Sequence, residues 1–216
     1  MYTMRKCSQQ VRMPRTIKAA TRQRILASVL KLMEGPGGAQ GVTMRSVATS
    51  VGLTAMAIYK HFPDREALLR AATLTEYSRL GKYFERANAR TDIKGLRGML
   101  GYLDYACDHP QVFRYMFATN RKDAFTYPVD LTAGKSPTLN ILHSVVARMM
   151  EEGTLAQDDV FETSLAIWAH AHGLITLYLS ERIKMPRMTF RDLYMRSLNR
   201  LVDGIRRGPC NAANGI

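Results

Sequence analysis

Apolar residues in this chain recur at helical spacing almost from end to end. Over residues 16–33, Ile17, Ala20, Ile25, Leu26, Val29, Leu30 and Met33 form one broad stripe, and Lys18, Arg22, Arg24 and Lys31 occupy the other face. The run EGPGGAQG, residues 34–41, cannot continue that helix. Two short helices are predicted between residues 43 and 62. Thr43 can cap the first, whose core positions are Met44, Val47, Ala48 and Val51. Gly52 stands where a chain leaving a helix commonly needs a left-handed residue. Leu53 returns to the core, and Thr54 can cap a second helix carrying Ala57, Ile58 and Phe62. Small residues at Ala48 and Ala57 let the two helices approach closely. This is the pattern of a helix-turn-helix, whose second helix enters the DNA major groove.

Asp64 caps a fourth helix, and Glu66 lies in its first turn, where the helix dipole favours an acid. Leu69, Thr73, Tyr77, Leu80, Phe84 and Ala87 keep one face of it core-directed for about five turns. A helix of that length can leave a small module and enter a second one. Leu96, Met99, Leu100, Leu103 and Cys107 make the next stripe, ended by His109-Pro110. A short helix over 110–118 follows, with Val112, Phe113, Met116 and Phe117 apolar. Residues 119–135, with Pro128 and Gly134, read as a loop. Ser136-Pro137 opens a helix bearing Leu139, Leu142, His143, Val146, Met149 and Met150, which stops at Gly153. Asp158 or Asp159 starts another that reaches about Arg182. Thr189 caps a last one bearing Phe190, Tyr194, Ser197, Leu198, Leu201 and Ile205.

The expected fold is therefore all-α. A mobile basic arm occupies 1–15 and a three-helix helix-turn-helix module 16–63. A helical domain follows over 64–207, and a disordered tail over 208–216.

Charge gives the hairpin its meaning. Residues 1–70 hold 12 Lys and Arg against Glu34, Asp64 and Glu66, which is +9 of the chain's +13. Phosphate contacts need this kind of localised positive charge. The three cysteines, Cys7, Cys107 and Cys210, are far apart and show neither a disulfide framework nor metal spacing, which suits a reducing cytoplasm. The basic N-terminus lacks the apolar stretch of a secretory signal. The most apolar run, 165–179, includes His170, His172 and Thr176 and is too short and polar to span a membrane.

Residues 52–69, GLTAMAIYKHFPDREALL, resemble the DNA-binding signature of the TetR family of transcriptional regulators. The resemblance rests on Gly52, Leu53-Thr54, Tyr59, His61-Phe62 and the Asp64-Arg65-Glu66 cap before Leu68-Leu69, and it extends back to the first helix. It implies DNA-facing positions at Thr43, Thr54, Tyr59, Lys60 and His61, beside which Arg45, Ala55 and Met56 are the candidates for reading base edges. Among these, Arg45 can bond guanine O6/N7, whereas Ala55 and Met56 offer only apolar contact. Ala55, Met56 and Lys60 depart from the residues common in the family, which alters the DNA sequence read and leaves the fold intact. Trp168, His172 and Gly173 resemble the Trp…His-Gly motif of one ligand-domain subtype, as does the segment from His109 to Phe117.

Catalytic and metal-binding readings find little support. His170 and His172 lie roughly 200° apart on a helix and cannot chelate one ion together. No nucleophile triad, phosphate loop or carboxylate pair is visible, so neither an enzyme nor a cofactor is expected. The aromatic and sulfur-containing residues of the second domain suit an adaptable apolar pocket with a few polar handles, for which Tyr102, Tyr105, Phe113, Met116, Phe117, Met149, Trp168 and His172 are the candidates. By resemblance, the last two helices pair with a second copy through Leu174, Tyr178, Tyr194, Leu198, Leu201 and Ile205. The expected partners are a palindromic double-stranded operator, a small hydrophobic effector and a second subunit. The competing expectation is a basic architectural DNA binder with no effector.

Overall fold

A computed structural model describes residues 15–89, 96–118 and 137–206, and all regular structure among them is helical. The expected arm before Arg15, the loop at 119–135 and the tail from 208 lie outside the described residues. The chain divides into two compact units, Met1–Ala72 and Thr73–Ile216.

The first unit contains α1 (Arg15–Met33), a 3-10 turn (Gly38–Gly41), α2 (Met44–Val51), α3 (Ala55–Tyr59) and the start of α4 (Arg65–Ala89). Ile25, Val29 and Met33 of α1 are fully buried, along with Val47 and Ile58 of the hairpin. Ala20 is exposed and Leu30 only half-buried, so the α1 core stripe is narrower than its pattern suggests. Local chemistry sets each boundary. The Thr43 hydroxyl accepts the Ser46 amide at 2.9 Å while the Thr43 amide donates to Ser46 Oγ at 2.9 Å, a reciprocal cap. Gly52 ends α2 with φ 68°, which favours glycine. Thr54 accepts from the Ala57 amide, and Asp64 Oδ1 accepts from the Ala67 amide at 2.7 Å. The second hairpin helix stops at Tyr59, short of Phe62, because Pro63 bars the preceding residue from helical geometry. His61 and Phe62 instead turn back onto the Ile58 carbonyl.

The second unit holds the rest of α4, α5 (Gly98–Asp108), α6 (Pro110–Ala118), α7 (Pro137–Glu151), α8 (Val160–Leu179) and α9 (Arg187–Arg206). A close crossing lies between α4 and α5. A Cβ at Gly101 would overlap the Tyr83 carbonyl, and one at Gly98 would sit 2.9 Å from a Phe84 ring carbon. An ionic cluster ties α9 to α5. Arg187 reaches Asp108 at 2.8 Å and Asp104 at 3.4 Å, and Arg191 joins Asp104. Two helix ends differ from expectation. Asp159 caps α8, accepting the Glu162 amide at 2.8 Å, but the helix ends at Leu179 rather than near Arg182. There the amides of Glu181 and Arg182 fold back onto the carbonyls of Tyr178 and Leu177 with Glu181 at φ 57°, and the Arg114 guanidinium bonds the Leu179 carbonyl. The last helix starts at Arg187, before Thr189, because the Pro186 carbonyl already closes its first turn onto Phe190 at 3.0 Å.

Candidate nucleic-acid interface and C-terminal aromatic cluster

Anchoring the short α3 is the task of Ile58 and Phe62, both buried. Its other side is exposed: Met56 retains 68% of its surface and Tyr59 48%, with Lys60 beside them and Ala55 half-covered. Thr43, Arg45 and Thr54 are exposed at the neighbouring α2 and at the two caps. His61 is half-buried, and Lys18 and Arg22 of α1 act on it electrostatically. Burial first, then these two cations, hold its ring below the usual imidazole range, so it is neutral near pH 7. The Arg22 guanidinium lies 5.0 Å from the centre of the Phe62 ring. The pattern of polar positions did not single out Lys18 and Arg22 for this neighbourhood. Their spacing from His61 is a tertiary property.

Not every cation of this unit is available to DNA. Arg24 donates to the Val51 carbonyl at 3.0 Å. Arg65 donates through Nε to the Val42 carbonyl at 2.6 Å and also bonds the Ala39 carbonyl, fastening α4 to the loop before the hairpin. These two arginines satisfy backbone oxygens at the ends of elements.

In the second unit, five of the eight predicted pocket residues form one ring network. Tyr102 is fully buried, with Phe113 at 5.3 Å, Phe117 at 5.8 Å and His172 at 6.3 Å between centroids. Phe113 stacks on His172 at 5.4 Å, and Trp168 lies 5.7 Å from the same imidazole. From α4, Phe84 adds a ring 6.0 Å from Tyr102, and Tyr77 one 6.5 Å from Phe117. Tyr105 and Met116 face a neighbouring site. The Tyr105 hydroxyl donates to Glu76 Oε2 at 2.9 Å, with Met116 Sδ 3.3 Å away. Glu76 is only 3% exposed, a buried carboxylate that a polar letter in an apolar stripe did not announce. Met149 is buried on α7, outside the ring network. A narrow crevice of about 10 Å³ lies between Phe84, Leu96, Met99 and Leu142, with room for about one water.

Burial also lowers His172 from the usual imidazole range and pushes the Tyr102 hydroxyl far up. The unfolded chain protonates this imidazole near 6.5 and the folded one only at lower pH, so the stability it secures is complete above 6.5 and lost as pH falls below it. Urea midpoints followed by Trp168 fluorescence should therefore decline between pH 7.5 and 5.5, and less steeply in His172→Gln. Equal slopes in the two proteins would count against the assignment.

Two residues expected at a subunit interface belong to the core of a single chain. Tyr194 and Leu198 are both at 0% exposure, and the Tyr194 hydroxyl donates to the Met99 carbonyl at 3.0 Å. Their stripe is covered by α5 and α8 of the same molecule. Leu174, Tyr178, Leu201 and Ile205 are half-buried, and Tyr178 is stacked flat on Phe190 at 4.0 Å. The apolar groups that do point outward are Leu165 (39%) and Leu177 (43%) on α8, along with Ala166 and Ala169, and Met188 on α9.

Comparison with known proteins decides the lineage. Residues 35–72 match the family model described as bacterial regulatory proteins, tetR family, and residues 97–204 match the tetracyclin repressor-like C-terminal domain. The chain belongs to the TetR family. The C-terminal match carries the family but leaves the Trp…His-Gly subtype as a resemblance. This TetR-family chain is 28% identical over 166 residues to the HTH-type transcriptional repressor KstR of Mycolicibacterium smegmatis, covering 68% of itself and 76% of KstR. A shorter stretch of 50 residues is 38% identical to the nucleoid occlusion factor SlmA of Cronobacter sakazakii and spans a quarter of SlmA. Among solved structures, a protein of unknown function from Rhodococcus sp. RHA1 superposes with a TM-score of 0.70 at 22% identity, covering 92% of this chain and 100% of that one. The fatty acid degradation regulator FadR of Bacillus halodurans gives 0.63 at 14% identity, covering 84% and 94%. These two share the fold. As a TetR-family member, the chain is a DNA-binding transcriptional regulator with a helix-turn-helix module and a helical C-terminal domain.

Proposed function

We propose that this regulator is a homodimeric repressor that leaves a palindromic operator when a small hydrophobic molecule binds its C-terminal unit. The observation that carries the DNA half is α3, five residues long, with its inner side anchored by Ile58 and its outer side bare. Two copies would place their α3 helices in successive major grooves about 34–36 Å apart. The outward leucines of α8, with small residues between them, supply an apolar surface that a second copy can cover. The similarity to KstR, a transcriptional repressor, favours that sign of control. An effector acts here only through unequal affinity for the DNA-competent and DNA-incompetent states, and the usual coupling of 1–3 kcal/mol would lower operator affinity roughly 5–150-fold.

Operator duplexes selected from a random pool provide the test. Arg45→Ala should cost roughly 1–3 kcal/mol and relax one base position. Lys60→Ala should weaken all sequences alike and reduce the salt slope by about one. Loss of affinity in both without a change in sequence preference would remove Arg45 as a reader. The net charge of +13 favours one competing reading, an architectural binder. A specificity ratio near one between selected and scrambled duplexes would establish it instead.

A further inference from the structure

Two hydrogen bonds meet on one buried hydroxyl. Trp168 Nε1–H, which can only donate, reaches the Tyr102 oxygen at 3.1 Å, and the same oxygen lies 2.9 Å from His172 Nδ1. Tyr102 is completely buried, so a hydroxyl proton with no acceptor would carry the full cost of an unmade bond. With the Trp168 side occupied by a donor, His172 Nδ1 is the acceptor that remains. The tryptophan therefore fixes the tyrosine, and the tyrosine fixes the histidine as the tautomer with its proton on Nε2. The depressed proton affinity of this imidazole agrees, because a charged ring would have to donate from Nδ1 as well.

Nε2–H then faces away from this chain of bonds. Among the described side chains, no fully buried nitrogen or oxygen lacks a hydrogen-bond partner, and Nε2 has none among the described residues, so it keeps some accessible surface. Against the imidazole stand Phe117 and Trp168, both only partly covered, and the stacked ring of Phe113. An N–H donor set among aromatic rings, with no charged side chain in the ring network, is suited to a neutral acceptor. A carboxylate would gain one hydrogen bond there and lose most of its hydration.

We infer that His172 Nε2–H donates to a carbonyl oxygen of an uncharged apolar effector whose hydrocarbon body lies against Phe117 and Trp168. This assignment rests on the effector-responsive reading above and names the class of molecule it takes.

Trp168 is the only tryptophan of the chain, so its emission reports on this place alone. The probes are cyclooctanone, cyclooctane and cyclooctanecarboxylate, which share one ring and differ in the acceptor. Cyclooctanone should give a saturable change in emission with an affinity about 5–10-fold above that of cyclooctane, the worth of one neutral hydrogen bond. In His172→Phe that preference should vanish while cyclooctane binding persists. Nitrogen-15 imidazole spectra of the free wild-type protein at pH 7.5 should show His172 protonated on Nε2. Protonation on Nδ1, a carboxylate bound more tightly than the ketone, no saturable response to any probe, or a ketone preference surviving in His172→Phe would each overturn the assignment. Duplex binding is measured in parallel. Ketone binding that leaves DNA affinity unchanged would remove the effector switch but leave the donor role of His172 standing.

Discussion

A chain carrying Leu198→Glu should fail to fold its C-terminal unit, whatever its partner does. Leu198 has no exposed surface in the single chain, and the helix stripe around it includes Phe190, Tyr194 and Val202, all buried. A carboxylate there would lie in a fully buried apolar position, and such substitutions cost more than about 4 kcal/mol. Against a total of about 5–15 kcal/mol, that leaves little. Urea titration followed by Trp168 emission, together with limited proteolysis, reads the outcome. The informative contrast is Leu165→Glu combined with Leu177→Glu. Both leucines are already more than a third exposed, so the double variant should keep a near wild-type urea midpoint. In the proposed dimer it should sediment as a monomer and lose its preference for a palindrome over a half-site. A Leu198→Glu protein with the wild-type urea midpoint would contradict the core assignment. A wild-type protein that is monomeric at micromolar concentration would contradict the dimer.

Gly101→Val should be nearly as damaging, for a different reason. The atom that a Cβ would strike is backbone, the Tyr83 carbonyl, so no side-chain rotation relieves it and α4 and α5 must separate. The expected loss is about 3 kcal/mol or more, at the upper end of what overpacking costs. Separation would also disturb the Phe84–Tyr102 contact, so Trp168 emission should change before unfolding begins. Gly204→Ala is the control. It too is a helical glycine, but nothing lies within 4 Å of its added methyl, and alanine should be neutral or stabilise by up to about 1 kcal/mol. Equal effects at the two sites would show that helix propensity, not the crossing, governs Gly101.

What could be read in the sequence was what depends on near neighbours. The caps at Thr43, Thr54, Asp64 and Asp159 each bond an amide three residues away, and Gly52 answers a local dihedral. Such features travel with the segment wherever it packs. Helix ends were harder where a second signal competed. Thr189 has the right chemistry to cap, yet the carbonyl of Pro186 acts first, and α8 stops where the Arg114 guanidinium, 65 positions earlier, meets Leu179. Periodicity found the stripe of α9 without saying which body covers it, which is why Tyr194 and Leu198 were expected at an interface. The ring network joins Tyr102 to Trp168 and His172 across 66 and 70 positions. Composition could suggest its members, but only the packing of α5, α6 and α8 sorts them from Tyr105, Met116 and Met149.

The division of labour among the basic residues of the first unit has a consequence for how such a regulator diverges. Arg24 and Arg65 are bonded to main-chain oxygens, so replacing them loosens the module itself. Arg45 and Met56 are exposed, Ala55 is half-covered, and none of the three side chains enters a hydrogen bond or ion pair that the fold needs. If these three positions read the operator as proposed, a duplicated copy of the gene could drift at them and acquire a new target site while its melting temperature stayed constant. On the same proposal, retargeting by design would begin from these three positions, with no compensating substitutions elsewhere.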